Sequence, residues 1–178
     1  MLCFKHIDLP KIPTDLLDDV QTVLVMPNYY ANTISTMYGR KFFLKSINER
    51  LMQWLTKNIP FELQDVKYQI VKDGIGRHVD HRAFTILYVI EQGGPSVKTS
   101  FFLDDYETLE DSVIMMKDTW TYINTSKVHW VSDFDTDPNK NIRLTLSISP
   151  VDSDSFFQKY IPELSKENIP LPRNYNKK

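Results

Sequence analysis

The sequence predicts an α+β chain, mainly β, whose strands close into a jelly-roll-like barrel with N-terminal helices packed outside. Three observations carry this expectation. Helical spacing of apolar residues is confined to the first 60 or so positions and to one short piece after Pro150. From about residue 61 the pattern changes to period two, or to short continuous apolar runs, in roughly seven or eight segments. Gly, Pro and Asp clusters separate those segments, and many short strands with such turns suit two sheets packed face to face. No internal repeat or linker interrupts the pattern. One domain over 1–178 is therefore expected, with its core at about 61–150, helical support over 1–60 and a tail over 162–178.

At 178 residues the chain can bury its own core, and 42% hydrophobic with 25% charged residues is ordinary for a globular protein. The net charge of −2 gives no basic field to attract nucleic acid or an anionic membrane. Cys3 is the single cysteine, which excludes an intramolecular disulfide and a cysteine-built zinc site. The start lacks an apolar stretch of signal-peptide length, and no run is long enough to span a bilayer. A cytoplasmic protein with no membrane association is the expectation; the oligomeric state is left open.

In chain order, Leu2, Phe4, Ile7 and Leu9 alternate up to Pro10 and Pro13, as an edge strand would. Thr14 reads as the cap of a short helix carrying Leu16, Leu17, Val20 and Val23/Leu24 and stopping before Pro27. Residues 28–41 show no period. Ser46 with Glu49 reads as the start of a second helix, with Ile47, Leu51, Trp54 and Leu55 on one face and an end near Asn58. Strands are expected at Val66–Val71, at the segment holding His78, and at Ala83–Ile90, whose continuous apolar run suits burial on both faces. Further strands are expected at Lys98–Leu103, Ser112–Lys117, Thr119–Asn124, Lys127–Val131 and Asn141–Ser149, then a helical piece at Asp154–Tyr160.

The chemistry gathers around Gly76-Arg77-His78-Val79-Asp80-His81-Arg82. On a strand, His78 and Asp80 share a face while His81 points away, so His78 and Asp80 can ligate one divalent ion. His129, in another β-like segment, completes two histidines and a carboxylate on one side of a metal, the open arrangement of non-haem Fe(II) oxygenases. Alone, the His78/Asp80 pair is weak, because a loop histidine bonded to an aspartate has the same sequence. Further on, Arg143, Thr145 and Ser147 share one face of an otherwise apolar strand. A guanidinium buried there needs an anion: a bound carboxylate, or an internal bridge to Asp104 or Asp118.

The pattern His78-x-Asp80, His129, Arg143-x-Thr145 resembles the Fe(II)/2-oxoglutarate-dependent dioxygenases. Lys67 to Asp80, with Tyr68 and Gly74–Gly76 before the His78 pair, resembles the approach to the metal in prolyl 4-hydroxylase-like enzymes. Arg82–Tyr88 with Gly93-Gly94 resembles the next strand and Gly-Gly turn of those enzymes. Tyr122–His129 and Arg143–Pro150 are also similar to aspartyl/asparaginyl β-hydroxylases. The likeness covers about residues 66–150. It implies a double-stranded β-helix, also described as cupin-like, with Fe(II) held by His78, Asp80 and His129. It further implies 2-oxoglutarate as cosubstrate, held by Arg143 with Thr145, Tyr68 and Tyr88 lining its pocket, O2 as second cosubstrate, and ascorbate as a supporting reductant. The implied reaction converts 2-oxoglutarate to succinate and CO2 while a peptidyl or free amino-acid-like small-molecule substrate is hydroxylated.

Asp80 stands where the halogenating branch of that family has a small residue. The Arg-x-Asn…Arg ending of the nucleic-acid-demethylating branch is missing, so nucleic acid is disfavoured as a partner. Asn28–Arg40, Trp120, Tyr122, Trp130 and Asp133–Lys140 are candidates for the entrance, with Trp120 and Trp130 as barrel core the plainer reading. Two rivals stand beside the enzyme: a cupin-like protein that binds or senses a metal or small carboxylate without turnover, and a structural jelly roll with coincidental histidines.

Overall fold

The structure is a computed structural model, and it describes residues 2–19, 22–23, 41–72, 74–137, 141–164 and 170. Ten strands are described: β1 (Phe4–Ile7), β2 (Lys41–Lys45), β3 (Leu63–Lys72), β4 (Ile75–His78), β5 (Thr85–Glu91), β6 (Lys98–Phe102), β7 (Leu109–Val113), β8 (Trp120–Ile123), β9 (Val128–Ser132) and β10 (Ile142–Pro150). Helix α1 (Glu49–Asn58) lies between β2 and β3, and α2 (Ser153–Tyr160) follows β10. The strands form a six-stranded sheet, β1-β8-β5-β10-β3-β2, and a four-stranded sheet, β4-β9-β6-β7. Every pairing is antiparallel. From β3 to β10 the strands alternate between the two sheets except at the β6–β7 hairpin, which is the winding of a double-stranded β-helix.

Side-chain parity on the large sheet decides what is core and what is site. On β10, Leu144, Leu146 and Ile148 point away from the small sheet, as do Ile86 and Tyr88 of β5 and Tyr68 and Ile70 of β3. There they meet Leu51 and Leu55 of α1 and Phe156 and Phe157 of α2, so the largest apolar core lies outside the barrel. Between the sheets the apolar clusters are smaller, one around Leu87, Val89, Phe101 and Met115 and another around Val71, Ile75, Val97 and Val131. A cavity of about 780 Å³ opens beside them.

Several local expectations need correction. The helix from Thr14 is a single 3-10 turn, Thr14–Leu16, with no side-chain cap, and Leu17 is extended. Tertiary partners take the backbone groups that a helix would use: Asn48 donates to the Leu16 carbonyl, and the Asp18 amide donates to the Tyr68 hydroxyl. Farther along, Thr22 and Val23 are helical as expected, with the Val23 amide donating to the Asp19 carbonyl at 3.0 Å, while 20–21 and 24–26 lie outside the described residues. Helix α1 is capped by Asn48, not Ser46; its side chain accepts from the Leu51 amide at 2.8 Å, worth about 1 kcal/mol. Strand β2 was not legible, and β7 starts at Leu109 rather than Ser112. Of the entrance candidates, 28–40 and 138–140 lie outside the described residues. Trp120 and Tyr122 are buried in the outer core, while half-buried Trp130 faces the outside of the small sheet. Among the described residues no helix is long and apolar enough to cross a membrane.

Candidate metal centre

Strand pairing brings the three expected ligands together. His78 at the end of β4 is the direct cross-strand partner of His129 on β9, and their rings lie 4.2 Å apart between centroids. Asp80 lies just past β4. Its amide donates to the Thr125 carbonyl at 2.9 Å, the Thr125 hydroxyl donates to the Arg82 carbonyl, and the Ser126 amide donates to the Ala83 carbonyl. These three bonds staple the bend at 81–83 to the turn between β8 and β9. One ligand atom from each of His78, Asp80 and His129 lies within 4.8 Å of the others. His81 is exposed and is not part of this group, although it lines the same cavity. His6 is bonded to Thr121 at the sheet edge, away from the group.

The protons are arranged for ligation. His78 Nδ1 lies 2.5 Å from the Gly76 carbonyl, and His129 Nδ1 lies 2.9 Å from the Lys127 carbonyl. A carbonyl only accepts, so each Nδ1 carries a proton, and in the neutral form of either ring Nε2 is the atom left to ligate. Burial, with the charges of His78 and Arg143, pushes the His129 pKa down to about 4, so this ring is neutral at physiological pH. For Asp80, burial works to raise the pKa. The hydrogen bond from His78 and the charges of His129, His78 and Arg82 outweigh it and bring the carboxyl down to about 2. Asp80 Oδ1 stands 3.5 Å from His78 Nε2, while Oδ2 faces the Arg82 guanidinium at 3.9 Å. Two imidazoles and one carboxylate oxygen on one side form a donor set that suits a divalent transition metal.

Arg143 lies in the same cavity, 4% exposed, on the inward face of β10. Its Nη1 donates to the Thr99 hydroxyl at 3.0 Å and its Nη2 contacts Met115 Sδ at 3.3 Å. Neither partner carries charge, and among the described residues no carboxylate pairs with it. Burial pushes its pKa down to about 10 with no opposing charge to raise it. The internal bridge to Asp118 is absent, because that carboxylate is bound by Lys11 and by the Tyr88 hydroxyl. Asp104 is exposed on the loop after β6. Gly93, at φ +84°, permits the β5–β6 turn to press on this strand: a Cβ there would stand 3.1 Å from the Arg143 amide nitrogen and 2.9 Å from Phe134.

Thr145 lines the cavity next to Arg143, with its hydroxyl 3.5 Å from the Gln69 carbonyl. Tyr68 and Tyr88 do not line it, which corrects the expectation drawn from the resemblance. Tyr68 is fully buried in the outer core, where its hydroxyl accepts from the Asp18 amide. Tyr88 packs on Trp120, and its hydroxyl donates to Asp118 at 3.2 Å. Burial pushes both phenols up to about 12. On β3 the inward positions are Asp65, Lys67, Gln69 and Val71; on β5 they are Thr85 and Leu87. Asp65, Lys67 and Arg82 were not singled out from the sequence. For Asp65 and Lys67 the signal would have been the odd-numbered polar residues of β3, read as an inward face.

No protein-family model matches the chain, and no curated protein matches it. Among solved structures it is similar to an oxidoreductase of the 2OG-Fe(II) oxygenase family from Burkholderia pseudomallei, at 11% identity and TM-score 0.39, over 57% of this chain and 51% of that one. It is also similar to a Pseudomonas putida prolyl-4-hydroxylase, at 14% identity and TM-score 0.38, over 61% and 71%. A Bacillus subtilis oxalate decarboxylase matches at 11% identity and TM-score 0.39, over 62% and 26%. The chain thus spans about half the length of the first of these structures and about a quarter of the last.

Proposed function

We propose that this protein is an Fe(II)- and 2-oxoglutarate-dependent dioxygenase that hydroxylates a peptidyl or free amino-acid-like substrate. The observation that carries the reading is Arg143: a buried guanidinium with only neutral partners among the described residues, in one cavity with a His78–Asp80–His129 cluster. A buried cation without a countercharge is costly, so the site is built for an anion that arrives with a ligand. A diacid that chelates the metal at one end and meets the guanidinium fork at the other supplies that anion.

Bound iron and 2-oxoglutarate would supply the oxidising chemistry, with O2 consumed and succinate and CO2 released. The chain's own contribution is positional. The Gly76 and Lys127 carbonyls hold the two imidazoles in the ligating tautomer. Arg82 faces one oxygen of Asp80 and leaves the other for the metal. Thr99 orients the Arg143 guanidinium, and Thr145 offers a hydroxyl beside it. Leu87, Ile123 and Val131 keep the neighbouring wall apolar and exclude water.

Anaerobic protein given Fe(II) and 2-oxoglutarate should develop a weak visible charge-transfer band, then form succinate when O2 is admitted. Iron binding without band or succinate would favour the binding-only cupin reading. Iron affinity unaltered by His78→Ala and His129→Ala would favour the purely structural one.

A further inference from the structure

Strand β3 carries a bulge where it faces the cavity: Ser147 pairs with Lys67 but Ser149 pairs with Gln64, so β3 has one residue more than β10 across this step. Asp65 sits in it at φ +56°, a left-handed conformation that a non-glycine residue adopts at a cost. Such bulges re-aim side chains near active sites. Here the carboxylate of Asp65 is turned onto the cavity wall, where it meets Lys67 Nζ at 2.5 Å and Arg82 Nη1 at 3.3 Å. Arg82 also donates to the Ser147 hydroxyl at 3.2 Å, which in turn shares a hydrogen bond with Thr85 at 2.8 Å. Arg82 also stands 3.9 Å from Asp80 Oδ2, so with Asp80 committed to the metal the two cations are left to share Asp65. Their side chains retain 23% and 27% exposure toward the cavity, and both have donors to spare.

Charge over the whole cavity points the same way. Lys67, Arg77, Arg82 and Arg143 line it against Asp65 and Asp80, although the chain as a whole is acidic, with 21 basic and 23 acidic residues. Arg77 sits at the rim, its guanidinium over Phe102 and Trp130. A divalent metal and a doubly charged 2-oxoglutarate cancel one another, so the positive excess remains for a third ligand. We propose that Lys67 and Arg82, set by the Asp65 bulge, form an oxyanion subsite beside the metal position, and that the substrate is a small molecule bearing a carboxylate or phosphate. This rests on the site reading above and narrows it: a free acid fits this wall, and a neutral residue within a peptide does not.

The test uses the full chain loaded with Mn(II) and saturating 2-oxoglutarate. Paramagnetic relaxation of probe methyl protons is measured for acetate, methylphosphonate and neutral dimethyl sulfone. Saturable relaxation is expected for the anions and not for the sulfone, and the tighter anion assigns the substrate group as carboxylate or phosphate. Lys67→Met and Arg82→Gln should each weaken the anion about tenfold, as loss of a charge-assisted hydrogen bond does. Lys67→Arg and Arg82→Lys, which keep the charge, should retain most of the binding. Equal relaxation of the sulfone, or anion binding unchanged in Lys67→Met and Arg82→Gln, overturns the inference. Mn(II) retention and 2-oxoglutarate binding are followed on the same samples by free-ion paramagnetic resonance and equilibrium dialysis. Protein that holds both and ignores the anions refutes the subsite alone; protein that holds neither refutes the site reading, and the subsite with it.

Discussion

Arg143→Met separates a cosubstrate anchor from a structural arginine, because the two roles predict opposite balances between stability and binding. Methionine has a similar reach and no charge, and the guanidinium it removes has no carboxylate to orphan. The Thr99 hydroxyl loses one partner, a loss of about 1 kcal/mol, while relief from burying an unpaired charge acts the other way. The urea midpoint should therefore shift by no more than about 1 kcal/mol equivalent, in either direction. Binding of 2-oxoglutarate should suffer far more. Removing one partner of a buried charged pair costs roughly 2–5 kcal/mol, which is about thirtyfold to a few thousandfold in affinity. The assay titrates 2-oxoglutarate against the anaerobic visible band and against succinate release, with an Fe(II) titration run beside it. The 2-oxoglutarate requirement should rise by at least thirtyfold while the iron requirement changes little. An equal rise in both, or a large loss of stability with the 2-oxoglutarate requirement unchanged, would refute the reasoning.

Tyr68→Phe and Tyr88→Phe should leave the 2-oxoglutarate requirement unaltered and cost about 1 kcal/mol of stability each; a shifted requirement would place either phenol in the cavity after all. His129 titrates near 6.5 when unfolded and near 4 when folded, so the unfolded chain binds more protons between these values. Metal-free protein should lose up to about 3 kcal/mol as pH falls from 6.5 toward 4, and His129→Gln should flatten that part of the profile in denaturant titrations; an unchanged profile would count against it. Burial pushes the Cys3 thiol up to about 11, so it stays protonated at pH 8 and should react with a thiol reagent only at the rate of unfolding. Rapid labelling of native protein would contradict that.

The candidate metal ligands were legible because their spacing is local. His78 and Asp80 are two apart, and they gather with His129 although the strand ends at His78 and Asp80 lies past it. Arg143, Thr145 and Ser147 were legible as a face for the same reason, since Leu144, Leu146 and Ile148 mark the other side of β10. Tyr88 was misplaced where parity gives no signal, and Tyr68 against the signal that polar Lys67 and Gln69 on either side of it offer. Strand β5 is buried along both faces from Thr85 to Ile90, and a shift of one residue exchanges inward for outward. The outer face of β3 and β5 is as apolar as an interior because α1 and α2 cover it, a fact that belongs to packing.

What the sequence by itself determined is therefore the period of each strand, the pair of ligands within one segment, and a buried arginine in need of an anion. Only the tertiary structure decided that the anion is not Asp118, because the partner of a buried charge is chosen by which strands meet across a sheet. It also decided that Lys67, Arg82 and Asp65 face the metal ligands. That cluster depends on one extra residue in β3 opposite β10, and a bulge is a property of the pairing between two strands distant in sequence.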